Sequence, residues 1–128
     1  MKISTTIARL LLGAIFLLFG SNLFLHFLPM GSIPTGPAGQ FFGVLAATHY
    51  IYAVALFQVV PAILLLINRY VPLGLALLAP VIVNIFLTHL LMAPSGLPLA
   101  LVVIVLWIVA ALGIRSAFAG LLQQRVRD

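Results

Sequence analysis

The chain reads as an all-α membrane protein, with four transmembrane helices in an antiparallel bundle and both termini on the cytoplasmic side. Three observations predict this. Of 128 residues, 65% are hydrophobic and only 5% charged, and the mean hydropathy is +1.36, which is outside the range of soluble domains. Apolar stretches of the roughly 20 residues that a membrane helix needs recur four times between polar or Pro/Gly-rich breaks. The basic residues Lys2, Arg9, Arg69, Arg115, Arg125 and Arg127 fall only at the N-terminus, between the second and third stretches, and at or after the end of the fourth. The positive-inside rule sets those segments in the cytoplasm. One domain, 1–128, therefore accounts for nearly the whole chain and leaves no room for a soluble one.

The first span, 7–28 (IARLLLGAIFLLFGSNLFLHFL), follows a short basic start. That pattern also describes a secretory signal, but the run is long and leads into Pro29 and Gly31 rather than a small-x-small cleavage site, so a retained helix is expected. Gly13 and Gly20 lie nearly in line and suit close approach to a neighbouring helix. Asn22 and His26, four apart, share roughly the opposite face. The segment 29–40 (PMGSIPTGPAGQ) is too rich in proline and glycine to be helix throughout and forms an outer loop.

The second span, 42–67, is expected as one helix, kinked at Pro61, which removes the bond to the Phe57 carbonyl. Its outer end carries Gly39, Gly43 and Ala47 at four-residue spacing, a stripe that predicts tight packing on a partner helix. The short turn Asn68-Arg69-Tyr70 makes spans two and three antiparallel neighbours. Span three, 71–92 (VPLGLALLAPVIVNIFLTHLLM), contains a second kink residue, Pro80, and follows its apolar run with Asn84, Thr88 and His89. Residues 93–98 form a second uncharged loop. Span four, 98–115, has no polar side chain before Arg115 apart from the indole of Trp107, and reads as structural. In the tail, 116–128, Phe118, Leu121, Leu122 and Val126 fall at helical spacing among Gln and Arg, as in an amphipathic segment at the cytoplasmic interface.

Composition narrows the chemistry. There is no cysteine and the only acidic side chain is Asp128, so thiolate catalysis, iron–sulfur ligation and carboxylate relays within the membrane are excluded. Placement of the positive charge is explained by topology and anionic lipid rather than by nucleic acid. No catalytic residue is identified, and an independent enzyme is not the expected reading.

Polar residues in the spans form two layers. Counting ~1.5 Å per residue from the inner ends, Gln58 and Asn84 lie near mid-membrane, at about 14 and 18 Å. Asn22, His26, His49, Tyr50, Thr88 and His89 lie at about 22 to 28 Å. Helical phase prevents them from converging on one axis, because His49 is turned about 180° from Gln58 and His89 about 140° from Asn84. Two readings stand. These groups fix helix packing through interhelical hydrogen bonds, or Asn22, His26, His49, Tyr50, Gln58, Asn84, Thr88 and His89 line a pocket for a quinone-like or other small lipophilic ligand, whose carbonyls need donors. His26, His49 and His89 are weak candidates for metal or haem, lacking a short-spaced pair and a carboxylate to orient them; no metal site is assigned.

The runs RLLLGAIFLLFGSNLFLHFLP (9–29) and FQVVPAILLLINRYVPLGLALLAPVIVNIFLTHLLMAPSGLP (57–98) resemble the DoxX and DoxX-like family of small four-helix membrane proteins. The resemblance implies a bacterial inner-membrane bundle. It also implies either an accessory subunit of a redox system, as in the thiosulfate:quinone oxidoreductase that names the family, or a membrane assembly protein whose polar residues only fix packing. Partners would be the bilayer, a second copy, or a membrane redox protein. Asn22, Asn84 and His89 are the positions carried over. The sequence departs from the family at Gln58, where many members have an acid, and at Pro61 and Ala62, where they have glycines, so a mechanism that needs the acid does not transfer.

Overall fold

The computed structural model describes residues 2–29 and 34–126; Arg127, Asp128 and part of the 29–40 loop lie outside them. Among the described residues every regular element is helical: α1 (Lys2–Leu25), α2 (Gly36–Ala47), α3 (Tyr50–Leu66), α4 (Val71–Leu91) and α5 (Leu97–Gly113). Short 3₁₀ segments precede and follow α5, at Pro94–Gly96 and Arg115–Leu122. α1, α4 and the run Pro94–Gly113 are each long and apolar enough to cross a membrane, and α2 with α3 supplies a fourth crossing if that bent pair counts as one span.

Packing follows from small residues. α1 lies against α3 and α5, and α4 lies against the same two. A Cβ at Gly13 would come within 2.9 Å of Leu66 Cγ, and one at Gly20 within 2.9 Å of Val59 Cγ2 and 3.0 Å of Gln58 Cβ. Only glycine allows α1 this close to α3. The seam so formed buries Leu12, Leu65, Leu75 and Leu78 completely, with Phe16, Ile82 and Val103 nearly so. Outward-facing Leu101, Val102, Val105 and Leu112 stay exposed on α5, a surface that lipid covers without penalty.

One end of the molecule collects the basic residues. Gly113, at the end of α5, touches Thr5 near the start of α1. The Arg9 guanidinium donates to the Leu65 carbonyl in the last turn of α3, where a helix has unpaired acceptors and carries partial negative charge. α3 stops there because Asn68 turns left-handed (φ 56), which lets the Arg69 N–H reach back to the Leu64 carbonyl at 3.1 Å. Tyr70, also left-handed (φ 54), starts α4 immediately. Trp107, half-buried in α5, donates its indole N–H to the Leu75 carbonyl of α4, 2.8 Å away, which satisfies the one polar atom of the ring.

Several expectations need correction. The second span is not one helix over 42–67. It is broken at Thr48–His49, where α2 and α3 meet at 89°. The Gly39/Gly43/Ala47 stripe packs on no neighbouring helix. A Cβ at Gly43 would meet nothing within 4 Å, one at Gly39 would meet only the nearby Pro34 carbonyl, and Ala47 is exposed. The bend turns this face away from the other helices. α1 starts earlier than 7 and stops at Leu25 rather than 28, α5 ends at Gly113, and the tail begins as a 3₁₀ segment. Pro61 and Pro80 lie inside α3 and α4, where the sequence places them.

Candidate functional site

At the end away from the basic residues, α3 and α4 part, and α2 folds across the opening. The resulting groove has a volume of about 950 Å³ and is walled mainly by apolar side chains, among them Phe41, Phe42, Val54, Phe57 and Ile85. Its polar groups are Thr48, Tyr50, Gln58, Asn84, Thr88 and His89, and no Lys, Arg, Asp or Glu lines it. A groove of this size and character accepts an uncharged, largely apolar molecule that carries a few hydrogen-bonding atoms.

Gln58 is the distinctive member. It sits on α3, 8% exposed, at the close approach of α1, and its carboxamide makes no hydrogen bond among the described residues. Among the described residues no buried polar side-chain atom is sealed without a partner, and the access that the amide retains is toward the groove that it lines. An amide brings two donors and an acceptor. Leaving them unmade in an apolar setting costs on the order of 1–3 kcal/mol.

The α4 residues are partly committed. Asn84 Nδ2 donates to the Pro80 carbonyl at 2.8 Å and Thr88 Oγ1 to the Asn84 carbonyl at 2.7 Å. These bonds stay within α4 and hold both side chains along the helix. They leave the side-chain Oδ1 of Asn84 and the second N–H of its amide without a partner among the described residues. His89 Nδ1 lies 3.1 Å from the Ala93 carbonyl, which fixes that nitrogen as the N–H and leaves Nε2 as a bare acceptor in the neutral ring. The ring lies hard against Gly96, where a Cβ would fall 2.3 Å from it. Glycine there is what lets the turn before α5 clamp the imidazole. Tyr50, largely exposed, adds a hydroxyl at the mouth.

The other three expected pocket residues lie elsewhere. Asn22 is buried, and its Oδ1 accepts from the Leu28 N–H at 2.7 Å; it ties down the chain leaving α1. His26 is exposed and left-handed (φ 53) at that helix end. His49 is exposed at the α2–α3 corner, where its ring stacks on Tyr52 at 5.7 Å, and Tyr52 in turn on Phe24 at 5.4 Å. Among the described residues no three His, Cys, Asp or Glu side chains are placed to hold a metal ion. The α2 wall, with Phe41, Phe42 and Thr48, has no signal in the sequence that separates it from the 29–40 loop and the 42–67 span.

Compared with protein-family models, with curated proteins and with solved structures, the chain gives no match.

Proposed function

We propose that this chain is a DoxX-like protein of a bacterial inner membrane, an antiparallel four-helix bundle with both termini cytoplasmic. On this reading it acts as an accessory subunit of a redox system and binds a quinone-like or other small, uncharged lipophilic molecule in the groove between α2, α3 and α4. The single observation that carries the ligand reading is Gln58: nearly buried, making no hydrogen bond among the described residues, and lining an apolar groove that holds no charge. Contacts of Gly13 with Leu66, Gly20 with Gln58, and Gly113 with Thr5 support the antiparallel arrangement, and the gathering of Lys2, Arg9, Arg69 and Arg115 at one end supports the orientation.

A bound quinone would supply two-electron redox chemistry. The protein's own part is to bind and orient: Gln58 donates to a ligand carbonyl, Asn84 and Tyr50 offer further donors, His89 Nε2 accepts, and the phenylalanines exclude water from the ring and tail. The experiment is lipid extraction and native mass spectrometry of the protein purified gently from bacterial membranes, beside Gln58→Leu. Wild type should carry a stoichiometric neutral lipophilic molecule and Gln58→Leu should lose most of it while its helical circular dichroism is unchanged. Equal content in the two, or none in wild type, overturns the reading. A second reading, an assembly protein, draws on the open Gly43 face of α2; a stoichiometric partner protein bound to an otherwise empty chain favours it.

A further inference from the structure

The bend between α2 and α3 is unusual because nothing in the local sequence demands it. From Val44 to Val60 the chain has neither proline nor glycine, the usual causes of a sharp break. One residue makes the corner: His49, with φ 61 and ψ 11. Left-handed backbone costs a side chain with a Cβ about 1–2 kcal/mol relative to the right-handed helix, so something must hold it. Two contacts do. Thr48 Oγ1 donates to the Val44 carbonyl at 2.7 Å, a back-bond that bends helices, and the His49 ring stacks on Tyr52, itself stacked on Phe24 of α1. α2 otherwise has a light hold on the molecule. Ala38 is its only buried residue among those described, and α3 is its chief neighbour.

We propose that Thr48–His49 is a hinge and α2 a lid on the groove. The second span interconverts between the bent form, in which Phe41, Phe42 and Val44 wall the groove, and a continuous helix over 36–66, in which that wall swings away and the groove opens. Only His49 has to cross from left- to right-handed, after which the α-helical bonds missing at the corner can form. The continuous helix is the less populated state because it is roughly 46 Å long, against a hydrocarbon core of about 30 Å. It must tilt or carry its apolar outer end out of the bilayer. The lid's purpose rests on the ligand reading of the groove, but the motion does not.

The absence of cysteine makes a clean test possible. Spin labels at Gln40→Cys on α2 and Leu91→Cys at the end of α4, both exposed positions, report the angle by pulsed electron resonance in lipid nanodiscs with no ligand added. Straightening moves residue 40 by about 20 Å, at 1.5 Å per residue from the hinge. In this background His49→Gly, free to be left-handed, should enrich the bent distance, and His49→Ala should enrich the extended one. The bent-to-extended ratio should differ between them by about five- to thirtyfold. If His49→Ala does not fold, as judged by Trp107 emission, Tyr52→Ala replaces it. That variant keeps His49, removes the ring that links it to Phe24, and should shift the ratio in the same direction. Identical distance distributions for His49→Gly and the folded partner variant overturn the hinge. Because no ligand enters the measurement, a failure here leaves the Gln58 test standing, and the converse.

Discussion

The two ends of this molecule are built on opposite terms. At the basic end polar groups are tied to helix carbonyls: the Arg9 guanidinium to Leu65, the Arg69 backbone N–H to Leu64, and, further in, the Trp107 indole to Leu75. Glycine lets backbones touch there. Toward the far end α2, α3 and α4 wall an apolar groove, Gln58 makes no hydrogen bond among the described residues, and Asn84 and His89 spend only part of their hydrogen-bonding capacity within α4 and the turn after it. Close packing transmits little freedom, whereas an apolar groove with unmet amides and a bend held by a stack invites a ligand or a motion. This contrast sets stability at the basic end and function at the far one.

The sharpest way to break it is to crowd one glycine at each end. Gly13→Leu should destabilise the bundle by about 2–3 kcal/mol, since the new side chain starts inside Leu66 and close to the Ala62 carbonyl. Gly43→Leu should leave stability within about 0.5 kcal/mol, because nothing lies within 4 Å of its Cβ. Denaturant titration in detergent, followed by Trp107 emission, measures both. Equal losses would mean that α2 is packed on something the isolated chain does not contain.

A smaller effect separates the two buried amides. Asn22 has a made bond, 2.7 Å to the Leu28 N–H, so Asn22→Leu should cost about 1–2 kcal/mol, chiefly by orphaning that N–H at the end of α1. Trp107→Phe should follow at about 1 kcal/mol, read by thermal circular dichroism, because it removes one hydrogen bond and keeps most of the ring's packing. If Asn22→Leu proved neutral while ligand content fell, Asn22 would belong to the site and not to the helix end.

How much of this is written in the sequence depends on which force sets each feature. Apolar length and charge placement, which bilayer thickness governs, mark α1, α4 and α5 to within a few residues, and depth counting groups Tyr50, Thr88 and His89 at one level. The α2–α3 corner is not legible, since Thr48 and His49 continue a helix as readily as they break one, and the ring stack at the corner, from His49 through Tyr52, ends on Phe24 of another helix. The same holds for Asn22. Depth puts it in the outer polar layer, but its phase on α1 and the path of the chain to Leu28 give its oxygen to the backbone. His26 and His49 share the layer and miss the groove because both sit at helix ends, where direction is set by the turn and not by the 100° step of a helix.

The smallest expected change is the most informative. Gln58→Leu removes an amide that makes no hydrogen bond among the described residues and fills nearly the same space, so no bond is lost and an unmet polar group disappears. Stability of the ligand-free protein should therefore stay the same or rise by up to about 1 kcal/mol. A bundle that used Gln58 as a packing device would lose stability instead. Measured on protein stripped of lipid and titrated with denaturant, the sign alone decides. A gain in stability with loss of the retained molecule would mean that the amide is kept at a cost to the fold for the sake of what it binds. A loss of stability would return Gln58 to the ordinary business of holding α3 in register, and the contrast between the two ends with it.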